Sequence, residues 1–273
     1  MIIDFHTHLF PDRLAPRALA VMQEDIRSHR GETLDVFTDG TAGGLSRSME
    51  ENGIDLSVVL PVATTTAQHA TINRFAREVT GNGILSFAGI HPLQPDWEPV
   101  LEEIAAGGFR GIKLHPEFQQ FYIDSPEALR VLKKAEKLGL LVTLHAGEDA
   151  CIAPPVHCTP QRLLNALRVL DGGNLIAAHL GGFYMWDDVE KYLVGTPVYM
   201  DTGVIGGYIG PEQYRRIIRA HGPDKILFAS DSPWEDQGHA LAALEELKLD
   251  PAEMELILEK NARRLLGMES GEE

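Results

Sequence analysis

Short runs of apolar and β-branched residues recur along the chain, and between them apolar positions return every three or four residues. The runs predict strands over Ile2–His6, Leu56–Pro61, Ile84–Ile90, Gly111–His115, Leu140–His145, Asn174–His179, Val198–Asp201 and Lys225–Asp231. The longer period predicts helices, among them Ala128–Leu138, Pro160–Leu170, Trp186–Leu193, Pro211–Ala220 and His239–Leu247. Ser125-Pro126-Glu127 and Thr159-Pro160 place a capping side chain ahead of a proline at the first helical position. Gly139 and Gly172 stand where a left-handed C-cap is expected.

Eight strand-then-helix units are what a (β/α)8 TIM-type barrel needs, and near-continuous apolar strands suit a sheet buried on both faces. An open doubly wound sheet is the rival, but no Gly-x-Gly-x-x-Gly turn follows the first strand. The expectation is an α/β barrel forming a single domain over residues 1–267. Residues 9–44 read as an insertion after the first strand, with a short helix around Arg17–Ile26 ahead of the first barrel helix at Leu45–Asn52. Residues 146–160, through Ala153-Pro154-Pro155, read as a lid or pocket wall, and the acidic tail 268–273 as disordered.

The formal net charge of −16 argues against nucleic acid or an anionic membrane as the main partner. No apolar stretch approaches a membrane span, and Met1-Ile2-Ile3-Asp4 lacks a signal peptide's basic start. With only Cys151 and Cys158 present, reduced thiols and a cytoplasmic location are expected. A small-molecule substrate follows, and the oligomeric state is left open, homo-oligomer included.

Candidate chemistry collects at the strand ends. His6, His8, His91, His115, His145 and His179, six of the eleven histidines, fall at or just past a predicted strand end, far more than an even spread would give. In a barrel that is the face where active sites are built. Residues two apart on a strand share a face, so His6 and His8 can grip one cation, with imidazole and carboxylate donors suiting zinc first and manganese, cobalt or iron(II) next. His29, His69, His221 and His239 read as hydrogen-bonded core or rim residues, and His91 as either a substrate contact or a rim residue. Cys151, His157 and Cys158 lack the spacing of a compact zinc site, so their loop is read as enclosing substrate.

Six strings, in order along the chain, resemble the amidohydrolase superfamily, in its amidohydrolase-related branch of metal-dependent hydrolases and non-oxidative decarboxylases. They are Ile3-Asp4-Phe5-His6-Thr7-His8, Gly111-Ile112-Lys113-Leu114-His115-Pro116, Leu144-His145-Ala146-Gly147, Ala178-His179-Leu180-Gly181-Gly182, Ser230-Asp231-Ser232-Pro233-Trp234 and Asn261-Ala262-Arg263-Arg264-Leu265. The resemblance implies one divalent metal on His6, His8, His145 and Asp231, with Asp231 also accepting a proton from water and His179 working as an acid or base. A second metal would draw on His115 and His179. Lys113 stands two residues deeper than the strand end where binuclear members carry a bridging lysine, and it reads as a buried cation instead. Two activities fit: hydrolysis of a C–N or C–O bond, and, as the alternative, decarboxylation or hydration of an unsaturated or aromatic carboxylic acid. A metal-free lactonase and a catalytically silent barrel are the remaining readings.

Overall fold

Strands that are apolar on both faces need cover on both faces, and the computed structural model, which describes residues 1–268, supplies it. β1 (Ile3–Thr7), β2 (Leu56–Val59) and β3 (Ile84–Ser86) form one parallel arc. β4 (Ala88–Gly89), β5 (Gly111–Leu114), β6 (Leu141–Leu144), β7 (Leu175–Ala177), β8 (Tyr199–Asp201) and β9 (Ile226–Leu227) form the other. The arcs meet at both ends. Phe87 N donates to Val59 O at 2.9 Å, and on the far side Phe5 N donates to Phe228 O at 2.9 Å and Asp231 N to His6 O at 2.8 Å. The result is the expected (β/α)8 barrel, with helices packed around the parallel strands.

The strand expected over Ile84–Ile90 is broken at Phe87 into β3 and β4. The Phe87 ring turns into the barrel and meets Phe5 edge-on, with centroids 5.9 Å apart. Gly111 makes room for it, since a Cβ there would lie 2.5 Å from the ring. With Ile3, Leu141, Ile176 and Leu227 these aromatics fill the barrel floor, and Ala262 and Leu266 of the last helix close it from below.

The helices Pro126–Lys137, Pro160–Leu167, Trp186–Tyr192, Pro211–His221 and Gln237–Glu245 fall close to their expected bounds. Ser125 and Thr159 cap as expected, accepting from Ala128 N and Arg162 N, each at 3.2 Å. Gly139 follows its helix with φ +69, but Gly172 stands well past Leu167 and serves a turn, its carbonyl accepting from Leu175 N at 3.1 Å. The insertion carries a longer helix than expected, Ala15–Arg30, and the first barrel helix starts earlier, at Ala42. Met268 N donates to Arg263 O at 2.8 Å, while residues 269–273 of the acidic tail lie outside the described residues. Among the described residues no helix is long and apolar enough to cross a membrane.

One irregularity positions the chemistry. Ile3 and Phe5 point into the floor, so strict alternation would send Asp4 and His6 outward together. Asp4 does face out, accepting from Ser230 Oγ at 2.5 Å and Gln237 Nε2 at 2.8 Å. Between Asp4 and Thr7 the β1–β2 register shifts, and His6 turns inward.

Candidate metal centre

His6 and His8 come together at the mouth end of β1, with their Nε2 atoms 3.1 Å apart. Asp231 Oδ1 lies 3.2 Å from His6 Nε2 and 3.1 Å from His8 Nε2. That oxygen is buried and has no hydrogen-bond partner, an unfavourable state unless something else completes it. Ligands about 2.1 Å from a tetrahedral dication stand roughly 3.4 Å from one another, so this triangle fits an ion after a small outward adjustment. The backbone of Asp231 holds a left-handed φ of +68, which turns the carboxylate back toward β1.

His145 and His179 form a second pair beside the first, and the His6 and His179 rings stand 5.5 Å apart. The hydrogen bonds fix the ring tautomers. His179 Nδ1 faces Gly203 O at 2.9 Å and His145 Nε2 faces Glu148 O at 3.1 Å, so both nitrogens carry the hydrogen. The remaining lone pairs, His145 Nδ1 and His179 Nε2, then confront each other at 3.0 Å. Such a contact is favourable only with a proton or cation to share. Burial holds both rings neutral: it pushes His145 and His179 down to about 4, with the Lys113 ammonium adding to the shift at His145 and the neighbouring His145 ring at His179. Burial, then Lys113, carries His6 well below the usual imidazole range. Burial alone would raise Asp231, but the surrounding imidazoles of His6 and His8 hold it far below the usual carboxylate range. Neutral imidazoles and an ionised carboxylate are the forms that bind metal.

His115 stacks on His145 with centroids 4.2 Å apart and reaches Asp149 Oδ2 from Nε2 at 3.4 Å. His115, His145 and Asp149 are close enough to bracket an ion. Yet His115 Nδ1 accepts from Phe118 N at 3.3 Å, which leaves the hydrogen on Nε2 and makes that atom a donor. His91 has the same form, its Nδ1 accepting from Leu93 N at 3.2 Å. His69 begins a helix, His239 lies in the first turn of another, His29 in the last turn of a third, and His221 donates to Val198 O at 2.8 Å away from the centre.

Three residues that sequence reasoning left unassigned or missed are prominent. Lys113, buried on β5, places Nζ 3.0 Å from His6 Nε2, and burial pushes its ammonium down to about 8. Asp201, at the end of β8, contacts both His6 and the His179 backbone. Glu117 holds the 146–160 loop, accepting from His157 N at 2.6 Å and from His157 Nδ1 at 2.5 Å. Only Lys113 drew notice in the sequence, as a buried cation two residues deeper than its strand end. The loop itself is pinned by Gly147 N on Cys158 O at 2.9 Å and by Arg30 on Glu148 at 2.9 Å, and both cysteines are free and buried.

The sequence profile of the amidohydrolase family matches residues 3–268. This chain belongs to the amidohydrolase family. No curated protein matches the amidohydrolase in sequence. Among solved structures it is similar to a TIM-barrel protein of uncharacterised role from Bordetella bronchiseptica, at 17% identity over 97% of this chain and 98% of that one, with a TM-score of 0.72. A dihydroxybenzoic acid decarboxylase from a Polaromonas species, holding manganese and the inhibitor 2-nitroresorcinol, is 18% identical over 99% of this chain and 98% of that one, with a TM-score of 0.67. A probable 2-pyrone-4,6-dicarboxylic acid hydrolase from Acinetobacter baumannii, with citric acid bound, is 19% identical over 97% and 99%, with a TM-score of 0.65. At these identities the likeness is one of fold. The family match places the amidohydrolase among enzymes, and structures of its fold include a decarboxylase holding manganese and a probable hydrolase, so the fold alone does not name the reaction.

Proposed function

We propose that this amidohydrolase is a metal-dependent hydrolase cleaving a C–N or C–O bond of a small molecule, with one divalent cation held by His6, His8, His145 and Asp231. The observation that carries the reading is Asp231 Oδ1, buried, without a hydrogen bond, and 3.1 and 3.2 Å from the two imidazole nitrogens. Zinc suits this donor set best, and manganese, cobalt and iron(II) share its chemistry. When bound, such a cation supplies Lewis acidity, polarising a carbonyl and making water a nucleophile near neutral pH.

The chain's own groups supply the rest. Asp231, kept ionised, accepts a proton from the attacking water. His179 Nε2, whose lone pair faces the site because Nδ1 donates to Gly203 O, takes up and returns a proton at the leaving group. The lid and the Phe183 ring, 5.6 Å from His179, wall off the bulk solvent.

A second reading, decarboxylation or hydration of an aromatic or unsaturated carboxylic acid, draws on Lys113. Its buried ammonium beside His6 is a ready partner for a substrate carboxylate, and a carboxylate so held can leave as carbon dioxide once the adjoining carbon gains a proton, which His179 Nε2 first takes from a water and then passes on. One experiment separates the two. Protein of measured metal content is offered a panel of lactones, esters, amides and aromatic carboxylic acids, with acid production and carbon dioxide release read in parallel. Hydrolysis without carbon dioxide supports the first reading. Carbon dioxide release without hydrolysis replaces it with the second, and a metal-free protein active on lactones would overturn both.

A further inference from the structure

The carboxylate of Asp201 makes three contacts that the proposed chemistry does not use. It is fully buried at the end of β8. Oδ2 accepts from His6 Nδ1 at 2.9 Å, and Oδ1 accepts from the backbone N–H groups of His179 and Gly203, each at 3.0 Å. We infer that Asp201 is the positioning residue of the metal centre, fixing the His6 tautomer with one oxygen and the His179 turn with the other.

Three N–H groups converge on this side chain, and a carboxylate meets them all because both oxygens accept. An amide has one acceptor. In Asp201→Asn, the amide turned one way sets its NH2 against the two backbone N–H groups. Turned the other way it presents NH2 to His6 Nδ1, and the ring answers by moving its hydrogen to Nε2. The second independent observation sits on the far side of the ring: Lys113 Nζ, which can only donate, lies 3.0 Å from His6 Nε2, so Nε2 carries a lone pair and Nδ1 the hydrogen. That lone pair is the one directed at His8 and Asp231. The backbone half of the contact matters as much. His179 holds φ +59, a left-handed conformation that a bulky residue adopts only when its surroundings impose it. Asp201 Oδ1 is the acceptor that ties down its N–H.

A partner that orients a metal-ligating imidazole in this way is worth about 10–100-fold in metal affinity. The affinity effect rests on the proposed metal reading, whereas the tautomer is a property of the metal-free chain. Histidine-labelled protein, stripped of metal, is therefore followed by long-range proton–nitrogen NMR, with the His6 signal identified by its loss in His6→Gln. Zinc affinity is measured by chelator competition on the same samples. The expected results are His6 protonated at Nδ1 in the native chain, a switch toward Nε2 in Asp201→Asn, and zinc bound at least tenfold more weakly by that variant. His6 protonated at Nε2 in the native protein overturns the inference even if Asp201→Asn fails to fold, and so does a folded variant with unchanged tautomer and zinc affinity. Failure of the native protein to bind any metal sinks the proposed function, while the tautomer still decides the role of Asp201.

Discussion

Metal should raise the melting temperature of this protein by an amount that its donor triangle sets, and one substitution should erase the gain. The atoms His6 Nε2, His8 Nε2 and Asp231 Oδ1 come from opposite ends of the chain and converge only in the folded state, so a cation binds the native form and not the unfolded one. At a free metal concentration 100 times the dissociation constant the stabilisation is about 2.7 kcal/mol. An unfolding entropy of about 2.1 cal/mol/K per residue, over 273 residues, gives about 0.57 kcal/mol/K. The expected rise is therefore about 5 °C. Asp231→Asn removes the only anionic member of the triangle, and an affinity loss of 100-fold would shrink the rise at the same metal concentration to below about 1 °C. Differential scanning calorimetry on chelator-treated protein, with and without zinc, manganese or cobalt, reads both numbers. A variant that keeps the native rise would refute the assignment of Asp231 as a ligand. A native protein indifferent to all three metals would refute the centre itself.

Other consequences are equally open to measurement. Asp231→Asn should abolish turnover with circular dichroism unchanged, and near-normal kcat would remove it from the mechanism. His179→Asn should lose turnover yet keep one equivalent of metal by elemental analysis, and loss of half of two equivalents would instead make His179 a ligand. Gly147 holds φ +86 and a Cβ there would lie 2.1 Å from Phe183 N, so Gly147→Ala should cost roughly 3 kcal/mol or more in urea unfolding, and a cost below about 1 kcal/mol would count against the close packing of the 146–160 loop on Phe183. Burial pushes the Cys151 thiol up to about 12 and the Cys158 thiol up as well, so native protein at pH 8 should react with iodoacetamide far more slowly than urea-unfolded protein. Because unfolded thiols lose their protons near pH 8.5–9 while these keep theirs, stability should fall as pH rises through that range, and less steeply in Cys158→Ala.

What could be read from the chain was whatever depends on local order. Each barrel strand announces itself by its apolar run, and His6, His8, His145, His179 and Asp231 follow because strand ends point to one face. Ser125 and Thr159 were legible as caps because a cap is a contact between neighbours. Asp201 was not, because its meaning lies in bonds to residues 22 and 195 positions away. The break at Phe87 was hidden for a similar reason: the ring is drawn inward by the space left at Gly111, which no window around residue 87 contains. The inward turn of His6 likewise depends on a register shift against β2. Ring tautomers, which separate a lone pair at His6 from a donor at His115, follow from partners that only the folded chain brings near.

The left-handed backbone at His179 and Asp231 has a consequence for any laboratory evolution of this protein. Both positions would be relaxed by glycine, and the strain relieved is of order 1–3 kcal/mol each. A library screened for heat resistance or soluble yield alone would therefore be led toward the two substitutions that the proposed mechanism expects to extinguish the chemistry. On that mechanism, improved variants would melt later and do nothing. Selection on this scaffold has to demand turnover at every round, and a sudden jump in thermal tolerance is the outcome to sequence first.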